Sequence, residues 1–139
     1  MASTTFTRCL GGSALVISAL ITAGCAVIAP ITPEAAVVQR ASAYWKARQA
    51  GQIDKVYALT APSFRQVHTL DQFRQQFGAA TTVKQVEVAH VTCESEKCVV
   101  RLKLGVSPAL PGLKIGTVDT YLDEIWLLED GQWWRFQEL

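Results

Sequence analysis

The sequence predicts an α+β fold in which three N-terminal helices precede an antiparallel sheet of about four strands. Apolar residues recur at helical spacing as far as Gly78 and alternate after it, so the period itself marks the change of layer. Asp130-Gly131 then sits between two apolar runs, the strongest short signal for a two-residue hairpin, because both turn positions need φ > 0.

The first helix opens at Thr32-Pro33-Glu34, with a capping hydroxyl, a proline at the first helical position and an acid in the first turn, and Gly51 can close it. Within it Val37, Ala41, Tyr44 and Arg48 share one stripe, with Val38 and Trp45 beside it. A short second helix holds Ile53, Val56, Tyr57 and Leu59 and stops near Pro62. Thr69 and Gln72 fit a capping box, and Leu70, Phe73 and Phe77 follow at helical spacing before Gly78 ends the third helix.

Alternation predicts strands over residues 82–93, 98–106, 115–128 and 132–136. The stretch 107–112, with two prolines, connects strands. Pairing Cys93 with Cys98 sets Val91 opposite Val100 and Ala89 opposite Leu102, with His90 facing Arg101 and Val88 facing Lys103 on the other side. A two-residue turn at Asp130-Gly131 pairs Leu127 with Trp134 and Ile125 with Phe136, and Leu128 with Trp133 and Trp126 with Arg135. Both faces of that hairpin are apolar. Helices cover one, so the other is expected to meet a partner, a lipid surface or a second copy, unless a tryptophan simply lies flat at the rim.

The first 33 residues read as an address. Arg8 is the only charge before Glu34, and an apolar stretch runs from Leu10 to Ala23, the layout of a secretory signal. Ile21-Thr22-Ala23-Gly24-Cys25 resembles a lipobox, although Thr22 stands where leucine is more usual. The resemblance implies cleavage before Cys25, acylation of its thiol, a signal over 1–24, a tether over 25–32 and a domain over 33–139. Ala26, where an aspartate would imply inner-membrane retention, points to the periplasmic face of the outer membrane. An uncleaved anchor, since the uncharged stretch reaches Pro33, and ordinary cleavage without lipidation are the alternatives.

Of the four cysteines, Cys9 would leave with the signal and Cys25 would carry lipid, which leaves Cys93 and Cys98. They flank a polar stretch between two strands, and an oxidising compartment would keep a cross-strand disulfide. Free thiols or half of a metal site are the other readings. His68 and His90 are the only histidines, so ligands for zinc are scarce, and no metal or cofactor is expected. Without Arg8 the chain carries 12 basic and 12 acidic side chains, scattered, which argues against nucleic acid as a partner. Neither a glycine-rich phosphate loop nor G-x-S-x-G nor H-E-x-x-H occurs.

Three features together resemble the nuclear transport factor two-like superfamily, from about Glu34 onward: Tyr44-Trp45, the segments Tyr57-Ala58-Leu59 and Pro62-Ser63-Phe64-Arg65, and strands ending Trp126-Leu127-Leu128-Glu129-Asp130-Gly131-Gln132-Trp133-Trp134. The resemblance implies a curved sheet wrapped around helices as a cone whose mouth can hold a small ligand. Enzymes of that superfamily use carboxylates, tyrosines or histidines inside the cone. Tyr44 and Tyr57 are candidates to project inward, with His68 at a helix start and Asp119, Tyr121 and Asp123 alternating on one strand. Packing and solvation are the better account of each of them, so no catalytic residue is assigned. The expectation is a membrane-anchored, non-catalytic envelope lipoprotein binding a small apolar or amphipathic ligand, an envelope protein or a second copy. Tyr44, Trp45, Tyr57, His68, Tyr121, Trp126, Trp133 and Trp134 are its pocket or interface residues, the last three tryptophans forming a contact surface. A cofactor-free lyase or isomerase, and a structural subunit of a secretion or envelope-assembly complex, are the alternatives.

Overall fold

A computed structural model of the chain describes residues 30–79, 82–108 and 116–138. The segment 1–24, Cys25 and residues 109–115 of the proline-containing connection lie outside the described residues. Among the described residues four helices, α1 (Pro33–Gln49), α2 (Ile53–Ala58), α3 (Pro62–Val67) and α4 (Leu70–Phe77), precede four strands, β1 (Val83–Cys93), β2 (Lys97–Val106), β3 (Val118–Glu129) and β4 (Gln132–Arg135). No helix among the described residues is long and apolar enough to cross a membrane.

Local chemistry sets the helix ends. The Thr32 hydroxyl accepts from Ala35 N at 3.3 Å, and Pro33 starts α1. Past its end Gly51 takes φ +67°, which lets Gln52 N donate back to Ala47 O at 2.9 Å. The capping box of Thr69 and Gln72 forms as expected. The expected count of three helices is corrected to four: Pro62 does not merely stop α2 but opens α3, since proline at the first helical position lacks only an N–H that would have no partner there.

The sheet order is β1-β2-β3-β4, antiparallel throughout. The last hairpin has the expected register, with Trp126 opposite Arg135, Leu127 opposite Trp134 and Leu128 opposite Trp133. Asp130 and Gly131 take φ of 51° and 73° in its turn. In the first hairpin Cys93 faces Cys98, Val91 faces Val100 and His90 faces Arg101, but a bulge at Ala89 then shifts the ladder. Val88 therefore faces Leu102 and Glu87 faces Lys103, against the expected pairings of Ala89 with Leu102 and Val88 with Lys103. The bulge has a plain cause: only by skipping one residue can Val86, Val88, Val91 and Cys93 all join the core face. A second irregularity between Val83 and Gln85 brings Val83 onto the same face.

That face packs on α1. Val37, Ala41, Tyr44 and Trp45 meet Val100, Leu102, Leu104, Trp126 and Trp133, while Val56, Phe64 and Phe73 extend the core through the shorter helices. The link between α2 and α3 is sewn to β4, with Arg135 N donating to Leu59 O and Ala61 N donating to Arg135 O, both at 3.0 Å. Cys93 and Cys98 form a disulfide across the first hairpin. Because the loop it closes is short, reduction is expected to lower stability by roughly 2 kcal/mol. Urea midpoints with and without reductant measure this, and coincident curves would refute it.

Candidate functional site

Side chains at directly paired strand positions point to the same side of the sheet, so Glu124, Trp126 and Leu128 of β3 share the inner face with Trp133 and Arg135 of β4. Trp126 is fully buried and meets the Tyr44 ring edge-on at 6.5 Å between centroids, and Tyr44 meets Trp45 in the same way at 5.9 Å. At the centre of these rings lies Glu124, 3% exposed. Its Oε1 accepts from Trp45 Nε1 at 3.1 Å and from Arg135 Nε at 2.9 Å. The Arg135 guanidinium in turn lies 4.7 Å from the centroid of the Tyr44 ring. Glu124 Oε2 and Trp126 Nε1 are buried without a hydrogen-bond partner among the described residues.

Burial pushes the Tyr44 phenol above its ordinary pKa, outweighing the pull of the Arg135 charge in the other direction. The interior thus holds an ion pair enclosed by aromatic rings. A shallow opening of about 240 Å³ beside it is lined by Asp123, Glu124, Ile125, Arg135 and Phe136 among others, with the Glu124 side chain itself 1% exposed.

The residues singled out from sequence fall into three places. Tyr44, Trp45, Trp126 and Trp133 come together inside the sheet. The expectation that Trp126 and Trp133 form a contact surface is corrected, since both are buried there as the sheet closes on α1. Tyr57 and His68 belong to the helical layer: the Tyr57 hydroxyl donates to His68 O, and its ring lies 5.4 Å from Phe73. His68 caps the end of α3 instead of starting a helix, with its ring 4.6 Å from Phe64.

Tyr121 is 57% exposed on the outer face. Beside it Lys103 pairs with Asp119 at 2.9 Å and Arg101 with Asp123 at 3.9 Å, so the two aspartates are solvated as expected. Trp134 is half-buried, on the face opposite Trp126 and Trp133. Sequence reasoning missed Glu124. The signal was its two-residue step from Trp126, which puts an acid on the core face of a strand whose register was already known.

One boundary of the sheet is incomplete. β4 pairs only with Trp126–Glu129 of β3, so among the described residues the stretch 118–124 has β2 on one side and no strand on the other. Val118, Tyr121 and Leu122 are exposed along it.

No family model and no curated protein sequence matches the chain. Solved structures do resemble it. A Campylobacter jejuni protein described as an NTF2-like transpeptidase is 13% identical, with a TM-score of 0.53 over 73% of this chain and 98% of that one. A Thiobacillus denitrificans protein described as a calcium/calmodulin-dependent protein kinase type II association domain is 18% identical, with a TM-score of 0.52 over 76% of this chain and 92% of that one. A SEC-C motif protein from Rhodopseudomonas palustris is 14% identical, with a TM-score of 0.53 over 77% of each chain. The fold is that of the nuclear transport factor two-like domains, an α+β arrangement with the helices N-terminal to the strands. At these identities the likeness is one of fold, which hosts unrelated functions.

Proposed function

We propose that the chain is a lipid-anchored, non-catalytic domain of the bacterial envelope, tethered through Cys25 on the periplasmic face of the outer membrane, that docks an extended segment of another envelope protein. The supporting observation is that, among the described residues, no strand pairs with β3 over residues 118–124 on the side away from β2, and Val118, Tyr121 and Leu122 are exposed along it. Unpaired N–H and C=O groups on a strand edge are satisfied by an added strand, with Tyr121 on one face and Val118 and Leu122 on the other available for apolar contact. A second copy fits this edge less well. Antiparallel pairing about Tyr121 would set Asp119 against Asp123 of the other chain, like charge on like charge.

A small ligand inside the cone is the weaker reading, because Tyr44, Trp45, Trp126 and Trp133 fill that space. A lyase or isomerase would place its acid or base at Glu124. That carboxylate is enclosed and already bonded to Trp45 and Arg135, whereas a general base must reach the proton it takes.

Two measurements test the proposal on the full chain expressed in a Gram-negative host. The intact mass of the membrane-extracted protein is expected to show loss of residues 1–24 and acyl groups on Cys25; an unmodified chain starting at Met1 overturns the anchor. A photoreactive residue in place of Thr120 is expected to trap one stoichiometric envelope protein. Tyr121→Asp with Leu122→Asp is expected to cut that adduct about tenfold, as loss of interface anchors does. Adducts only with a second copy, or adducts indifferent to these substitutions, overturn docking at this edge.

A further inference from the structure

Arg40 of α1 and Arg65 of α3 bring their guanidinium carbons to 4.2 and 4.9 Å from the centroid of one ring, Trp134 of β4. Neither has a carboxylate partner among the described residues. Arg40 makes a long bond from Nη1 to Gln132 Oε1 at 3.4 Å. Glu129, close in sequence to Trp134, directs its carboxylate elsewhere, to Ser63 N at 3.0 Å and Ser63 Oγ at 2.7 Å. The Nε atoms of both arginines are shielded from solvent and have no acceptor among the described residues.

Two free cations on flexible stems would ordinarily separate into water. Here the indole face attracts both, and the indole is itself fixed by its Nε1–H donating to Glu129 O at 3.0 Å. The electrostatic strain of the arrangement is visible at Arg40, whose pKa is lowered by burial and then by the charge of Arg65. An anion accepting from the Nη groups of the guanidiniums would relieve the repulsion.

We infer that Arg40, Arg65 and Trp134 form a binding site for an oxyanion, a carboxylate or phosphate group whose oxygens accept from the two guanidiniums while the indole holds them in place. Planar forks match the oxygen spacing of both groups, and three elements already hold the side chains together, so little ordering remains to oppose binding. The inference does not depend on the strand-docking proposal, which concerns β3.

The test uses the full chain in neutral detergent micelles, following the indole N–H resonance of Trp134 and the Nε–H resonances of the arginines by NMR. Inorganic phosphate, acetate, and phosphatidylglycerol doped into the micelle are titrated separately. Saturable movement of these resonances is expected. A response to phosphate identifies a phosphate site open to free ions, a response to acetate alone a carboxylate site, and a response to phosphatidylglycerol alone a lipid headgroup as the source. Arg65→Gln is expected to weaken the response at least about tenfold, and Arg65→Lys to recover part of it, since charge returns without the planar fork. Stationary resonances with all three probes, or equal affinity in the wild type and Arg65→Gln, overturn the inference.

Discussion

Replacing Arg135 by methionine is expected to destabilise the fold by about 3–5 kcal/mol, the usual cost of leaving one member of a buried ion pair without the other. The pair qualifies as buried because the Glu124 side chain is 1% exposed and that of Arg135 is 16% exposed. The remaining donor, Trp45 Nε1, satisfies only one oxygen and carries no charge. Adding Glu124→Gln to Arg135→Met is expected to restore most of the loss, since the amide oxygen can still accept from Trp45 and no uncompensated charge remains. Urea unfolding followed by tryptophan fluorescence measures both variants. A loss below about 1 kcal/mol for Arg135→Met, the range of exposed pairs, would mean that water solvates Glu124 and that the interior is less closed than described.

Trp126→Ala is expected to cost about 3–5 kcal/mol through the cavity it leaves, a large share of the roughly 5–15 kcal/mol that holds a domain folded. Trp126 is fully buried and touches Tyr44 on its way to the centre of the core. Trp126→Phe is expected to cost less than about 1.5 kcal/mol. It gives up volume but also removes an indole N–H that is buried without a partner. Thermal unfolding of the two variants makes the comparison, and an alanine variant as stable as the phenylalanine one would contradict the packing described.

What could be read in the sequence was what local chemistry controls. The caps of α1 and α4, the Asp130-Gly131 turn and the register of the last hairpin each depend on residues within a few positions of one another. α3 was missed because proline was read as a terminator when it also starts helices. The bulge at Ala89 was written in the uneven spacing of Val86, Val88, Val91 and Cys93, but strict alternation from the disulfide hides it. Glu124 was missed for a deeper reason. A strand acid is read as solvated, and the two groups that make its burial tolerable come from α1 and β4, which only the closed fold brings to it. Arg40, Arg65 and Trp134 likewise come from three elements, and no local pattern connects them.

The backbone seam between residues 59–61 and Arg135 also governs the order in which the protein can assemble. A ribosome delivers α1 to α4 first, yet the link between α2 and α3 lacks its hydrogen-bond partners until residue 135 has been made. The inner rings of α1 likewise wait for Trp126 and Trp133. Such distant closure makes folding slow compared with helix formation, and a growing chain short of β4 has no complete core to fold around. The emerging polypeptide therefore remains pliable until β4 has been made, with folding deferred to one concerted event.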